Sequence, residues 1–391
     1  MSPEHTIWNK NYTLLAFNSF FIFLNYYMLA ATMPSYIKGA WQTNAVQMGL
    51  ITSVFVLGNV SFRPFSGMIA ERYGRKKIIV SFACVFLSCS LLYFYAQTIV
   101  SLLLIRFFHG MSFAMITTSA AGTAYASVNE QQKTKAVGYY SLFMSLAMVS
   151  GPAIGISLTD HLSFQYVLIG SSLASVLALC LAIPVKIRND QPVKMTLKNL
   201  RFSSLFEPDI IPVCLAAFFV AFSYSSLITF IPDYTRSVGL GDHALLFLLL
   251  FSLFIIVPRP FILRWHKQFG DDKVVYSGLV LFASGLLLLN YTGSWKGLAF
   301  SGMILGMSYG ALFPVLQAIA IRKIPAERMG IAVATFFWLF DIGFGAGTYC
   351  LAYILNVSGY TTMYYAAVLA CAASAAFYFI FIKKERKKYI S

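Results

Sequence analysis

Twelve long apolar runs follow one another along the chain, at about residues 13–36, 46–70, 77–96, 98–126, 136–160, 164–185, 210–234, 242–263, 273–292, 297–320, 329–354 and 360–382. A helix needs about 20 apolar residues to cross the hydrocarbon core of a bilayer. The runs are continuous rather than alternating, and too long for barrel strands, so they specify helices. Only 11% of the 391 residues are charged, against about 25% in soluble domains. The sequence thus predicts an all-α integral membrane protein of twelve spans. The first run is as long as a full span and lacks a basic leader, so it reads as a retained helix and not as a cleaved signal.

The charges are placed as a membrane requires. The formal net charge is +15, which in a soluble protein would suggest nucleic acid. Here the cations sit between apolar runs. The N-terminus, the even-numbered connections and the C-terminal tail hold 23 Lys or Arg, and the odd connections only Lys38, Arg236 and Lys296. By the positive-inside rule both termini are expected on the cytoplasmic side of the cell membrane. Six cysteines all lie inside apolar runs, with no CxxC pair and no His at ligand spacing. They read as small packing residues, so no metal site is expected.

One charged hairpin stands out. Residues 67–77 hold four cations, one acid and a turn glycine, preceded by Arg63-Pro64-Phe65. The frame returns as Arg259-Pro260-Phe261, Gly270 and Lys273, at an offset of 196 from Arg63, Gly74 and Lys77. Gly110-Met111-Ser112-Phe113 matches Gly306-Met307-Ser308-Tyr309 at the same offset. Tyr26, Leu29, Pro34 and Tyr36 match Tyr224, Leu227, Pro232 and Tyr234 at 198. The longest connection, 186–209, divides the chain into six-span halves at 1–185 and 210–391. Two parallel repeats of this kind are the mark of a rocking-bundle transporter. Part of the connection, about 195–206, is either a short surface helix or a solvated linker.

The whole chain resembles the major facilitator superfamily: twelve spans, a 6+6 repeat, and a Gly-x-x-x-Asp-Arg-x-Gly-Arg-Lys/Arg pattern after the second span. That pattern is carried by Gly67, Glu71, Arg72, Gly74, Arg75 and Lys76, with Glu for Asp at 71 as the one departure. The second copy is degraded, with Leu263 for the glycine and Lys267 for the acid. The resemblance implies that Glu71 faces the N-terminus of the eleventh helix and latches a gate. The plainer alternative is a cation cluster that only sets topology. Arg63 and Arg259, at equivalent places, suggest architecture and closure of the gate more than substrate contact.

Two further patterns resemble the family's motifs. Arg106 in the fourth span is placed like an Arg implicated in proton coupling; the alternative is an Arg bonded to facing carbonyls. His109 beside it reads as a packed polar residue. Gly151, Pro152 and Gly155 in the fifth span resemble the motif of exporters and antiporters, with Ala147 and Ile156 replacing its outer glycines.

The acids point elsewhere. Asp341 is the one carboxylate in the middle of a run. At about 15 Å depth burial favours its protonated form, and intramembrane acids mark substrate or proton sites by default. Permanent pairing with a buried Arg is the alternative. The resemblance implies a cavity lined by helices 1, 4, 7 and 10, with 2, 5, 8 and 11 at the sides, for which the polar and aromatic candidates are Asn25, Tyr26, Met115, Thr118, Tyr140, Met144, Tyr224, Ser225, Tyr309, Gln317 and Trp338. Such a lining suits amphiphilic or weakly cationic organic molecules. The predicted function is proton-coupled export of such a small-molecule substrate, by a lipid-embedded monomer (the family's habit), with the proton gradient as energy source and no cofactor. The alternatives are proton symport of a sugar or organic acid, and an uncoupled receptor or lipid-handling protein. No metal cluster, nucleophile elbow or phosphate loop suggests an enzyme.

Overall fold

A computed structural model describes residues 7–41, 45–187, 205–240, 243–257 and 259–390. Most of the 186–209 connection, including the 195–204 stretch read as a surface helix or linker, lies outside the described residues. So do the side chains of Arg259 and of the C-terminal tail.

The described chain is helical: α1 (Lys10–Trp41), α2 (Ala45–Tyr73), α3 (Arg75–Leu92), α4 (Ile99–Ala126), α5 (Lys133–His161), α6 (Phe164–Ala182), α7 (Ile211–Ser237), α8 (Ala244–Ile256), α9 (Arg259–Tyr291), α10 (Trp295–Ile321) and α11 (Met329–Ile390). Among the described residues nine helices are long and apolar enough to cross a membrane. Two of the eleven are bent pairs. Gly359, at φ 80°, divides α11 into the eleventh and twelfth predicted spans, and Gly270, at φ 78°, divides α9. Within the run 242–263, α8 is described to Ile256, with Val257 still helical and bonded to the Leu253 carbonyl, and α9 begins at Arg259; residue 258 lies outside the described residues.

The sequence repeat is also a repeat of contacts, seen separately in each half. Thr98 caps α4 by accepting from the Ser101 N–H, and Ser294, 196 residues on, caps α10 by accepting from the Gly297 N–H. Such caps satisfy helix-end donors that lack an internal partner. Gly110 of α4 lies so close to the Phe55 carbonyl of α2 that a side chain there would collide with it. Gly306 of α10 meets the Phe251 carbonyl of α8 in the same way. Small residues that let backbones approach are what drives helix association in lipid, where burial of apolar surface gives no advantage.

By contact the chain falls into two compact units, Met1–Glu207 with Ile324–Phe337, and Pro208–Lys323 with Trp338–Ser391. Grouping by contact and grouping by chain order differ over one segment, 324–337, which carries the start of α11.

Candidate functional site

The hairpin and the start of α11 form one assembly in the first unit. Gly74 has φ 96° and is the single residue between α2 and α3. L-residues seldom adopt that conformation, so glycine is needed for the tight turn. On α2, a side chain at Gly67 would come within 2.5 Å of the Gly330 carbonyl group. A side chain at Gly122 of α4 would approach Gly330 to 3.1 Å. Glycine on all three elements therefore brings the first turn of α11 against α2 and α4. Glu71, just beyond the second apolar run, then faces the backbone N–H groups of Gly330 and Ile331. Arg75 donates to the Ala326 carbonyl oxygen, and Arg328 pairs with Glu207 at 2.9 Å. Arg72 stacks on Tyr73, 5.3 Å from the ring centre.

The electrostatics of Glu71 are a contest. Burial pushes its carboxyl up from 4.5 to about 7, while Arg75, the two N–H groups and Arg328 pull it down. Burial dominates because removing a carboxylate from water costs more than a helix N-terminus, at about 0.3–1 kcal/mol, returns.

Arg63 is buried, with two donors on the Asn59 Oδ1 (2.7 and 3.1 Å) and a third toward Thr118 Oγ1 (3.4 Å). Its guanidinium lies 5.0 Å from the Phe337 ring centre. Thr118, a cavity candidate, is thus engaged with Arg63. Lys76 lies in the first turn of α3 and is half-buried.

Several cavity candidates turn into the packing of their own unit. The Asn25 amide donates to Ser171 O, Ser90 Oγ and Ser175 Oγ at 2.8–3.0 Å, joining α1 to α3 and α6. Ser223 holds the matching place in the second unit and donates to Ala367 O at 2.7 Å. The repetition shows a staple between the first and last helices of each repeat. Tyr140 is buried, hydrogen-bonded to Ser19 and packed edge-on against Tyr12 and Tyr125. Met115 packs with Ala70 and Ile78. Met144 is half-buried.

Others come together as aromatic clusters. In the first unit Tyr26 lies 4.9 Å from Phe55 and 5.3 Å from Phe113. In the second, Tyr224 stacks on Tyr309 at 4.2 Å, with Phe251 at 6.0 Å and Phe344 at 5.8 Å. Phe344 is one turn from Asp341 on α11. The sequence reading did not single out Phe55, Phe251 or Phe344; the offset of 196 between the first two was the available signal. Asp341 and Trp338 are half-buried, and Gln317 is buried.

The fifth-span motif has a structural counterpart that the sequence reading missed. A side chain at Gly151 would meet Tyr27 and Met28 of α1, and one at Gly155 would meet Met28 and Thr32. Pro152 lies between them inside α5 without ending it. In the second unit Gly343 and Gly347 of α11 press on the carbonyls of Phe218 and Phe222 of α7. The Gly-x-x-x-Gly spacing was the legible signal. It places Asp341 two residues before a helix contact as close as that of the fifth span.

A repeated helical bundle with close glycine crossings, a charged hairpin and a mid-helix carboxylate defines a membrane transporter. The Major Facilitator Superfamily model matches residues 15–271 and 213–390, and the chain belongs to that family. It is 30% identical to the quinolone resistance protein NorA of Staphylococcus aureus over 147 residues, a match that spans 38% of each chain. It is 21% identical over 370 residues, 91% of its length, to an uncharacterised MFS-type transporter of Methanocaldococcus jannaschii, of which the match covers 94%. Among solved structures, the human organic anion transporter MFSD10 superposes with TM-score 0.80 at 14% identity, covering 96% of this chain and 100% of that one. FucP in its outward conformation gives TM-score 0.76 at 16% identity, covering 96% and 99%. These two likenesses speak for the fold.

Proposed function

We propose that this transporter is a proton-coupled exporter of small amphiphilic organic molecules. It works as a monomer by alternating access in the cytoplasmic membrane, with both termini inside. The observation that carries the reading is Asp341, a half-buried carboxylate in the middle of an apolar helix. A group placed there at the cost of desolvation is a natural proton carrier. It lies one turn from Phe344 and the Tyr224–Tyr309 stack. Those rings offer flat apolar faces with polar tips, suited to an aromatic amphiphile. The partial likeness to a protein named for quinolone resistance supports export over uptake, as does the close α1–α5 crossing at Gly151 and Gly155. Arg106 is the coupling partner that the family resemblance offers. The hairpin around Glu71, with Arg63 and Arg259, serves as gate and latch.

Inverted membrane vesicles test this. With the lumen acidified, wild-type protein should accumulate a fluorescent amphiphilic dye, and a protonophore should abolish the accumulation. Asp341→Asn should reduce it at least about tenfold with unchanged protein level. Full retention of proton-driven accumulation by that variant would sink the role of Asp341, and acid-driven loss of dye from loaded vesicles would favour symport.

A further inference from the structure

A second charged site lies in the first unit and is not part of the hairpin assembly. Arg106 of α4 is 1% exposed and makes no ion pair among the described residues. Its Nη2 makes a long hydrogen bond, 3.5 Å, to the Leu29 carbonyl oxygen, its guanidinium also engages the Tyr93 hydroxyl, and among the described residues its Nε–H has no acceptor. The guanidinium rests near the rings of Phe55 and Tyr93, at 5.6 and 5.7 Å. One turn along, His109 is fully buried. Its Nδ1 lies 2.9 Å from the Tyr93 hydroxyl, and among the described residues its Nε2 has no partner.

The proton positions follow from the charge. A neighbouring guanidinium orients the Tyr93 hydroxyl with oxygen toward the cation, so its hydrogen points to His109 Nδ1. The imidazole then carries its own proton on Nε2, which is a donor. The cluster therefore presents a full positive charge and two unmatched buried donors, with no described acid to answer them. Burying such groups unanswered is costly, because each loses its hydration with nothing in return.

The repeat supplies an internal control. At the offset of 196, Arg106, His109 and Tyr93 correspond to Gly302, Leu305 and Leu289. Leu305 and Leu289 are fully buried, and Gly302 packs against Phe247. Phe86, which packs on the His109 ring at 4.1 Å, corresponds to the equally buried Phe282. The second repeat therefore builds the same helix contact from apolar residues alone. The helix contact can thus be made without the polar cluster.

We propose that Arg106 and His109 form a binding site for one small monovalent anion, of halide or carboxylate chemistry, between α1, α3 and α4. Arg106 supplies the charge and its Nε–H, and His109 its Nε2–H. Such an anion arrives either as a free ion or as the acid group of a larger molecule. The site is independent of the direction of transport.

The test uses the full-length protein purified in detergent. Sodium chloride or sodium formate replaces sodium 2-hydroxyethanesulfonate, a bulkier anion, at constant ionic strength, and the melting midpoint is followed. The expected result is a saturable rise of a few degrees. A rise with both anions identifies a site open to free small ions, and a rise with formate alone identifies a carboxylate-selective one. Arg106→Gln should flatten the response. His109→Phe keeps a ring and removes the donor, so it remains informative where Arg106→Gln fails to fold. It should raise the half-saturating concentration about tenfold, as the loss of one charge-assisted donor does. A wild-type midpoint that depends on ionic strength alone, or an unchanged saturation curve in His109→Phe, would overturn the proposal.

Discussion

The turns at Gly74 and Gly270 are copies of one device, and they have been put to different uses. Both glycines have positive φ, 96° and 78°, and each separates two helical segments. Beyond the turn the charges are inverted. Arg75 and Lys76 of the first copy correspond to Asp271 and Asp272 of the second. In the first copy the charged groups hold the backbone at the start of α11: Arg75 on the Ala326 carbonyl, and Glu71 before the N–H groups of Gly330 and Ile331. In the second copy they hold side chains of their own repeat. Asp271 takes a two-pronged bond from Arg322 at 2.6 and 2.9 Å, and Tyr378 donates to Asp272 at 2.9 Å. Backbone at a helix start offers partial charges that can be gained and released cheaply. A bidentate ion pair is stronger and more specific. Under the proposed function, the first arrangement suits a contact that opens in each cycle and the second a permanent brace.

The strongest test of this contrast writes one copy's residue into the other. Gly67→Leu places the second copy's Leu263 where the backbones of α2 and α11 meet within 2.5 Å of a built side chain. It should cost about 1–3 kcal/mol, as overpacking does, and abolish transport. Wild-type melting and wild-type dye flux would mean that the close approach is dispensable.

Next in size is Asp271→Arg, which gives the second copy the cation of the first and sets two guanidinium groups against each other. The pair is 37% and 19% exposed on its two sides, so the loss should be about 1–2 kcal/mol. Adding Arg322→Asp should restore most of it, and a melting curve of the double variant checks this. Failure to restore would show that Asp271 acts through its helix and not through Arg322.

The third test uses pH. The packed carboxyl of Glu71 holds its proton up to about pH 7, against an ordinary 4.5. Protonation therefore favours the packed arrangement. That stabilisation is complete below about pH 4.5 and fades as pH rises through 7. Hydrogen exchange of residues 326–335, corrected for its intrinsic pH dependence, should speed up between pH 6 and 8. Glu71→Gln should hold it at the slower value throughout. An equal pH response in both proteins would remove Glu71 as the cause.

Much of this was legible before any coordinates. Apolar runs too long for strands, the sidedness of the cations and the offset of 196 residues required a duplicated membrane helix bundle. The hairpin glycines follow from the same reading. The roles of individual polar residues were less legible. Asn25 is among the cavity candidates, and its amide is taken up by Ser90, Ser171 and Ser175. Tyr140 is likewise committed to Ser19. In a soluble helix the apolar stripe shows which side is inside. A helix bathed in lipid is apolar all round, so periodicity does not say which way Asn25, Tyr140 or Met115 faces. Phe344 went unnoticed for the same reason, being one phenylalanine among 36.

Sequence alone determined the number of spans, their pairing into repeats and the places where the chain must turn, because hydrocarbon thickness and glycine stereochemistry act on short stretches. Only the tertiary structure decided which polar groups are spent on packing and which are left with unmatched charge. That distinction depends on partners about 150 to 260 residues away, such as Ser171 for Asn25 and Gly330 for Glu71. It also depends on partners that are missing among the described residues, as at Arg106 Nε and His109 Nε2.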